Sequence, residues 1–207
     1  MNEYHKIQSV FLRDPATNYK RMLFGEWAMP EFKYLQDNEW TFTEKVDGTT
    51  IRVMWDGQAV TFGGKTNNAS IPAFLVNRLQ ERFNADMLRA QFGDTAACLY
   101  GEGYGAKIQK GGGNYRADQN FVLFDIKIGE WWLQRPDLES IAVSLGIDIV
   151  PVIGVGTLHD MVRLVSTGFD SRWGAFAAEG IVARPRMELK ARSGQRIITK
   201  LKHVDFT

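Results

Sequence analysis

Thr43-Glu44-Lys45-Val46-Asp47-Gly48-Thr49 reads as a strand running into a tight turn, with an amine on its polar side just before the chain reverses. Around it the strand alternates. Trp40, Phe42 and Val46 take one face, and Thr41, Thr43, Lys45 and Asp47 take the other. Beyond the turn, Ile51, Val53 and Trp55 alternate with Thr50, Arg52 and Met54. Asp56-Gly57 is a two-residue hairpin signal that returns the chain through residues 58–62. Lys45 thus sits just before a β-hairpin. Taken alone it reads as a surface lysine ahead of a turn.

Over residues 71–92 the period changes. Phe74, Leu75, Leu79, Phe83, Leu88 and Phe92 predict helix, broken near Asn84, with Pro72 in its first turn. Residues 98–103 and 121–128 read as strands, separated by the loop Gly111-Gly112-Gly113-Asn114. Short helices are expected over 136–145 and 157–166, and strands over 180–184 and 196–204. Strands outnumber helices and join mostly by hairpins, which predicts an α+β class with a largely antiparallel sheet and flanking helices. Without a Pro/Ser-rich linker, the expectation is one domain over residues 1–207. Its first forty residues form an extension packed on it, with surface elements near 18–21 and 30–35.

The 207 residues suffice for one sizeable core. A net charge of only +1 excludes a polycation, so a nucleic-acid partner has to be held by a local basic patch. The single Cys98 excludes an internal disulfide and, among small and apolar neighbours, reads as a buried inert thiol. No signal-peptide run opens the chain, and the apolar stretch 147–155 is interrupted by Asp148, Pro151 and Gly154. These features predict a monomer without a membrane partner, in a reducing, cytoplasmic compartment (that of the host if the gene is a phage's). His5, His159 and His203 lack metal-ligand spacing.

A nucleophilic lysine needs help, because removing the proton from a free amine of pKa ~10.4 near neutral pH costs about 4–5 kcal/mol. Transfer of a phosphoryl group also needs cations around the phosphorus and an exit for the leaving group. Five further segments supply such groups: Thr61-Phe62-Gly63-Gly64-Lys65-Thr66-Asn67, Leu99-Tyr100-Gly101-Glu102-Gly103, Phe121-Val122-Leu123-Phe124-Asp125-Ile126, Ala178-Glu179-Gly180-Ile181-Val182, and Ile198-Thr199-Lys200-Leu201-Lys202. In this order, behind Glu44-Lys45-Val46-Asp47-Gly48-Thr49, they resemble the signature motifs of the covalent nucleotidyltransferases, the superfamily of ATP-dependent ligases and mRNA capping enzymes. Gly101-Glu102-Gly103, Gly105, Ile108-Gln109-Lys110 and Phe124-Asp125 are more discriminating. They are similar to the nick-sealing RNA ligases of bacteriophages and the RNA-editing ligases. The resemblance covers roughly residues 43–202.

That resemblance implies a single adenylyltransferase domain (an ATP-grasp-like ligase domain) without an OB domain, and an ATP-dependent RNA ligase that joins 3′-hydroxyl and 5′-phosphate ends. Lys45 would carry AMP, with Lys200 and Lys202 neutralising the α-phosphate. Phe124 would stack on adenine, where a core aromatic is the alternative, and Glu102 would accept from the ribose hydroxyls. Glu179 would place a Mg2+ or Mn2+ ion. Glu44 and Lys65 complete the implied ATP-binding set, with Asp47, Gly48 and Arg52 as substrate or turn support. Lys65 stands where the family commonly has arginine, and Asp47 where the phage enzymes can have histidine. The implied partners are RNA ends or a nicked duplex, which could contain DNA. The alternatives are a minimal ATP-dependent DNA ligase, or a non-catalytic RNA-binding module on the same fold. Strand preference, metal preference and biological substrate stay open at the level of sequence.

Overall fold

The computed structural model describes residues 3–206. In chain order, strands β1 (Gln8–Ser9), β2 (Phe11–Arg13) and β3 (Met22–Trp27) precede helix α1 (Pro30–Tyr34) and strand β4 (Trp40–Glu44). Next come β5 (Thr49–Trp55), β6 (Val60–Gly63), helices α2 (Ala73–Arg82) and α3 (Ala85–Phe92), and β7 (Ala97–Gly105). The short helix α4 (Gly112–Tyr115) leads to β8 (Gln119–Ile128), β9 (Trp131–Trp132), α5 (Arg135–Leu145) and β10 (Asp148–Ile149). The chain continues through β11 (Val152–Gly156), α6 (Leu158–Thr167), β12 (Gly180–Pro185) and β13 (Thr199–Lys202). The class is α+β with mainly antiparallel sheets, as expected.

Contacts gather the chain into two compact units. One comprises Asp47–Val150 with the N-terminal stretch up to His5, and the other Lys6–Val46 with Pro151–Thr207. The second unit is built on a five-stranded sheet of order β1-β13-β12-β4-β11, beside the small β2-β3 pair. Only the β1–β13 edge of that sheet is parallel, with Ser9 opposite Lys200. Trp40, Phe42, Ile181, Ala183 and Leu201 point to its buried face. Helix α6 covers this face with Leu158, Met161 and Val165, spaced as one helical stripe. Thr157 and Asp160 cap it reciprocally, and Gly168 at φ +83° ends it.

The first unit holds a sheet of order β10-β8-β7-β5-β6, with β9 paired to β8. Its core face carries Ile51, Val53, Trp55, Leu99, Phe121, Leu123 and Ile126, packed by Leu75, Leu79 and Leu88 of α2–α3 and Leu138 and Leu145 of α5. Asn84 breaks the expected long helix in two. Its side chain accepts from the Met87 N–H and caps α3. Between Tyr100–Asp125 and Gly101–Leu123 the β7–β8 register slips, leaving Phe124 as the additional residue of a bulge. The sheet's other face presents Thr50, Arg52, Tyr100, Glu102 and Asp125 by the parity of the register, and the bulge turns Phe124 to the same side, where Tyr4 meets Tyr100, Phe124 and Asp125.

Two expectations differ. The Gly111–Asn114 stretch enters helix α4 instead of remaining a loop, and a Cβ on Gly112 would lie 2.0 Å from the Gly105 carbonyl. The last strand is shorter than 196–204. Arg196 is instead committed to Glu188 at 2.5 and 2.8 Å, and a 3-10 turn follows from His203. The interrupted apolar stretch after Ile147 forms β10 and β11. Among the described residues no helix is long and apolar enough to cross a membrane.

Candidate functional site

In the five-stranded sheet, Lys45 follows β4 directly, and its backbone N–H donates to the Gly180 carbonyl at 2.9 Å. That bond puts the amine beside the start of β12, where Glu179 stands. One carboxylate oxygen of Glu179 meets Lys45 Nζ at 2.6 Å and the other meets Lys202 Nζ at 2.6 Å. A single acid thus bridges two ammonium groups, drawn from sequence positions 45 and 202. The Lys45 and Glu179 side chains keep only 21% and 14% of their exposure, so water screens this contact less than a surface pair. Lys200 lies two residues before Lys202 on β13 and shares its face, opposite Val182. Among the described residues, Lys45, Lys200 and Lys202 gather around Glu179, and their ammonium groups suit this face to an anion such as phosphate.

Gly180 is needed where these strands meet, since a Cβ there would lie 2.1 Å from the Leu201 carbonyl. Glu44 takes the opposite face. It is 1% exposed and accepts from Ser171 Oγ at 2.6 Å and the Arg172 N–H at 2.8 Å. Burial pushes its carboxyl above the usual carboxylate range, against the pull of the Arg172 and Ser171 hydrogen bonds. Its side chain anchors the 171–172 loop rather than joining Lys45. Alternation already held the signal, because Glu44 has the parity of Trp40 and Phe42. Nothing in the sequence marked Ser171 or Arg172.

In the other unit, Gly48 packs where a side chain could not. A Cβ would sit 2.3 Å from the Gly103 carbonyl and 2.7 Å from Glu102 Cγ. The turn is held from the α4 side, where Tyr115 Oη accepts from the Asp47 N–H at 3.1 Å and Gln109 donates to the Gly48 carbonyl at 3.0 Å. Arg52 is 2% exposed and donates to the Gly64 carbonyl at 2.8 Å and to Asn67 at 3.0 Å. It shapes the 63–67 loop on which exposed Lys65 is displayed. Glu102 pairs across the sheet with Thr50 and Val122, half-buried.

Phe124 is half-buried and lies outside the main core cluster of its unit. Tyr4 meets it edge-on at 5.1 Å, and the same ring packs against Tyr100 at 5.0 Å and Trp132 at 5.7 Å. Tyr4 Oη donates to buried Asp125 at 2.8 Å, fixing the N-terminal stretch across this face. The sequence reading missed Tyr4 and Trp132 and gave Asp125 no role of its own, because strand pairing and not local pattern brings them together. Cys98 is buried, and burial pushes its thiol up to about 11.

The same fold occurs in solved RNA ligase structures. An arginine-to-alanine variant of the Naegleria gruberi RNA ligase with ATP and Mn is 16% identical, with a TM-score of 0.68 over 98% of this chain and 56% of that one. The same organism's ligase with PPi is 17% identical, with a TM-score of 0.66 over 98% of this chain and 58% of the other. This chain therefore spans a little over half the length of those relatives. No curated protein matches the sequence. The family model described as RNA ligase matches residues 38–202, and the chain belongs to the RNA ligase family.

Proposed function

We propose that this chain is an ATP-dependent RNA ligase whose covalent carrier is Lys45. The observation that carries this reading is the carboxylate of Glu179 shared at 2.6 Å between Lys45 and Lys202. In the first step the neutral Lys45 amine attacks the α-phosphorus of ATP. An N–P bond forms, the bond to the β-phosphate oxygen breaks, pyrophosphate leaves, and the amine proton passes to solvent. Lys200 and Lys202 offset the charge that gathers on the α-phosphate. A 5′-phosphate oxygen of RNA then attacks the same phosphorus, the N–P bond breaks, the Lys45 amine takes back a proton from solvent, and an RNA-adenylate results. Finally a 3′-hydroxyl attacks the 5′-phosphorus, a phosphodiester O–P bond forms, the phosphoanhydride bond breaks, AMP leaves and the hydroxyl proton passes to solvent.

Glu179 has to exchange its lysine contact before Lys45 attacks. Among the described residues no group of three or more His, Cys, Asp or Glu side chains converges. A single carboxylate fits an ion that arrives on nucleotide phosphates better than one caged by protein. Bound there, Mg2+ or Mn2+ supplies charge neutralisation. Of the remaining residues, we assign Phe124 to adenine, Glu102 to the ribose hydroxyls, Lys65 to phosphate, and Asp47, Gly48 and Arg52 to shaping the turn and loop. Glu44 acts by anchoring the 171–172 loop.

The test is incubation with α-labelled ATP and Mg2+ or Mn2+, for wild type and Lys45→Ala. The expected result is a protein–AMP adduct, labile in acid and absent from the variant. No adduct, or one that survives the substitution, refutes the reading. Sealing of matched all-RNA, all-DNA and hybrid nicks then identifies the polymer, because the 2′-hydroxyl is the chemical difference open to recognition.

A further inference from the structure

Beside Lys200 and Lys202, in the unit that holds β13, lies a groove of about 530 Å3 walled on its other side by the 6–29 segment. That wall lies before the 38–202 stretch matched by the family model. Among the described lining residues, Lys6, Arg13, Lys200 and Lys202 are cationic and Asp205 is acidic. Asp205 is already engaged, by Arg13 at 2.6 Å and by the Lys202 backbone N–H at 3.0 Å. Cations thus outnumber acids among the described lining residues; Arg13 is held by Asp205 and Lys202 by Glu179, and Lys6 is exposed at the rim, open to a visiting anion.

Tyr19 is the unusual part of the wall. It is 61% exposed, and it and Asn18 both sit in the left-handed region, at φ 60° and 53°. Asparagine tolerates that region, but a bulky residue there is an outlier. The loop is held in this shape. The Asp14 carbonyl accepts from the Thr17 and Tyr19 N–H groups at 3.2 and 3.0 Å, and Asp14 N–H donates to the Arg21 carbonyl at 2.9 Å. Arg13 adds contacts to the Tyr19 and Lys20 carbonyls at 3.5 and 3.4 Å. A braced, strained loop thus displays an aromatic ring to solvent along a cationic groove. A ring beside cations is the pattern that takes a single strand, the base stacking on the ring and the phosphates following the charge.

We infer that this groove holds a single-stranded RNA segment leading to Lys200 and Lys202, with an unpaired base on Tyr19 and a phosphate near Lys6. The inference rests on the ligase reading for its polymer and deepens it by naming where the strand lies. The test uses the full chain and a fluorescent RNA of about twelve nucleotides, within the span of known single-strand sites. Binding is followed by anisotropy over a salt series, with protein–AMP formation measured in parallel.

Tyr19→Ala is expected to raise Kd by about 5- to 100-fold, and Tyr19→Phe to leave it nearly unchanged. Lys6→Ala is expected to reduce the slope of log Kd against log salt by about 0.7, the loss of one single-strand phosphate contact. Tyr19→Gly separates binding from folding. Relief of the left-handed strain keeps or raises the urea midpoint, while RNA affinity falls. Adduct formation stays at wild-type level in all four variants. Wild-type affinity and salt slope in the Tyr19→Ala and Lys6→Ala proteins would overturn the groove assignment even where the adduct forms. A wild type that makes no adduct refutes the ligase reading instead.

Discussion

Replacing Glu179 by glutamine and Lys202 by methionine, singly and together, measures how firmly one carboxylate is held by two lysines. Each contact is 2.6 Å long, and the three side chains keep between 14% and 35% of their exposure. At an effective dielectric near 20, unit charges ~4 Å apart attract by about 4 kcal/mol. Desolvation offsets much of that, so exposed pairs contribute ~0–1 kcal/mol and hydrogen bonds to charged groups about 1.5–3 kcal/mol. Partial burial puts this site between those limits. Glu179→Gln loses two charged contacts and leaves two ammonium groups around a neutral amide, so about 2–3 kcal/mol of stability should go. Lys202→Met leaves the Lys45 contact intact and should cost about 1 kcal/mol. The double-mutant cycle, read from urea unfolding at low salt, should return a coupling of about 1–1.5 kcal/mol that shrinks in high salt. A low-salt coupling within the additivity error of ~0.3 kcal/mol would refute the shared carboxylate, and with it the treatment of these three residues as one array.

Gly101→Ala should be strongly destabilising, about 1–3 kcal/mol or more, because the new methyl meets the Phe121 ring at 2.3 Å and the Val122 carbonyl at 2.4 Å. Urea unfolding followed by far-UV dichroism reads this, and an unchanged midpoint would contradict the packing. Glu44→Gln should alter how stability depends on pH. The folded carboxyl titrates above its unfolded value, so its stabilising contribution is complete below the unfolded pKa and is lost as pH rises through the folded one. The variant cannot ionise, and should gain on wild type from about pH 4 upward. Parallel urea midpoints across that range check the sign. Cys98, 3% exposed with its thiol pushed up to about 11, should resist a thiol reagent in native protein and react once unfolded. Rapid labelling of the native state would contradict its burial.

Elements with one buried face and a local cap were legible from the residues themselves. Parity put Trp40 and Phe42 on one strand face and Ile51, Val53 and Trp55 on another, which the structure buries, and the break near Asn84 was legible because its cap bond reaches only three residues ahead. Strands β1 and β10 were illegible, since two residues carry no period and their pairing is with distant strands. The same limit applied to the candidate site. The family resemblance named Lys45, Glu179 and Lys202 separately, but the bridging of Lys45 and Lys202 by one carboxylate depends on β12 lying between β4 and β13. The bulge at Phe124 is also a property of two strands together, so no single stretch predicts it.

The sheet that carries Lys45 is assembled from two stretches of chain with the whole Asp47–Val150 unit encoded between them. During synthesis, β4 leaves the ribosome long before β12 and β13, and Glu179 trails Lys45 by 134 residues. A nascent chain therefore exposes the lysine without its acid, and the array exists only after residue 202 has emerged. The intervening unit has all its sheet partners within itself and can condense first. Translation order thus keeps the reactive amine unassembled until its surroundings are nearly complete.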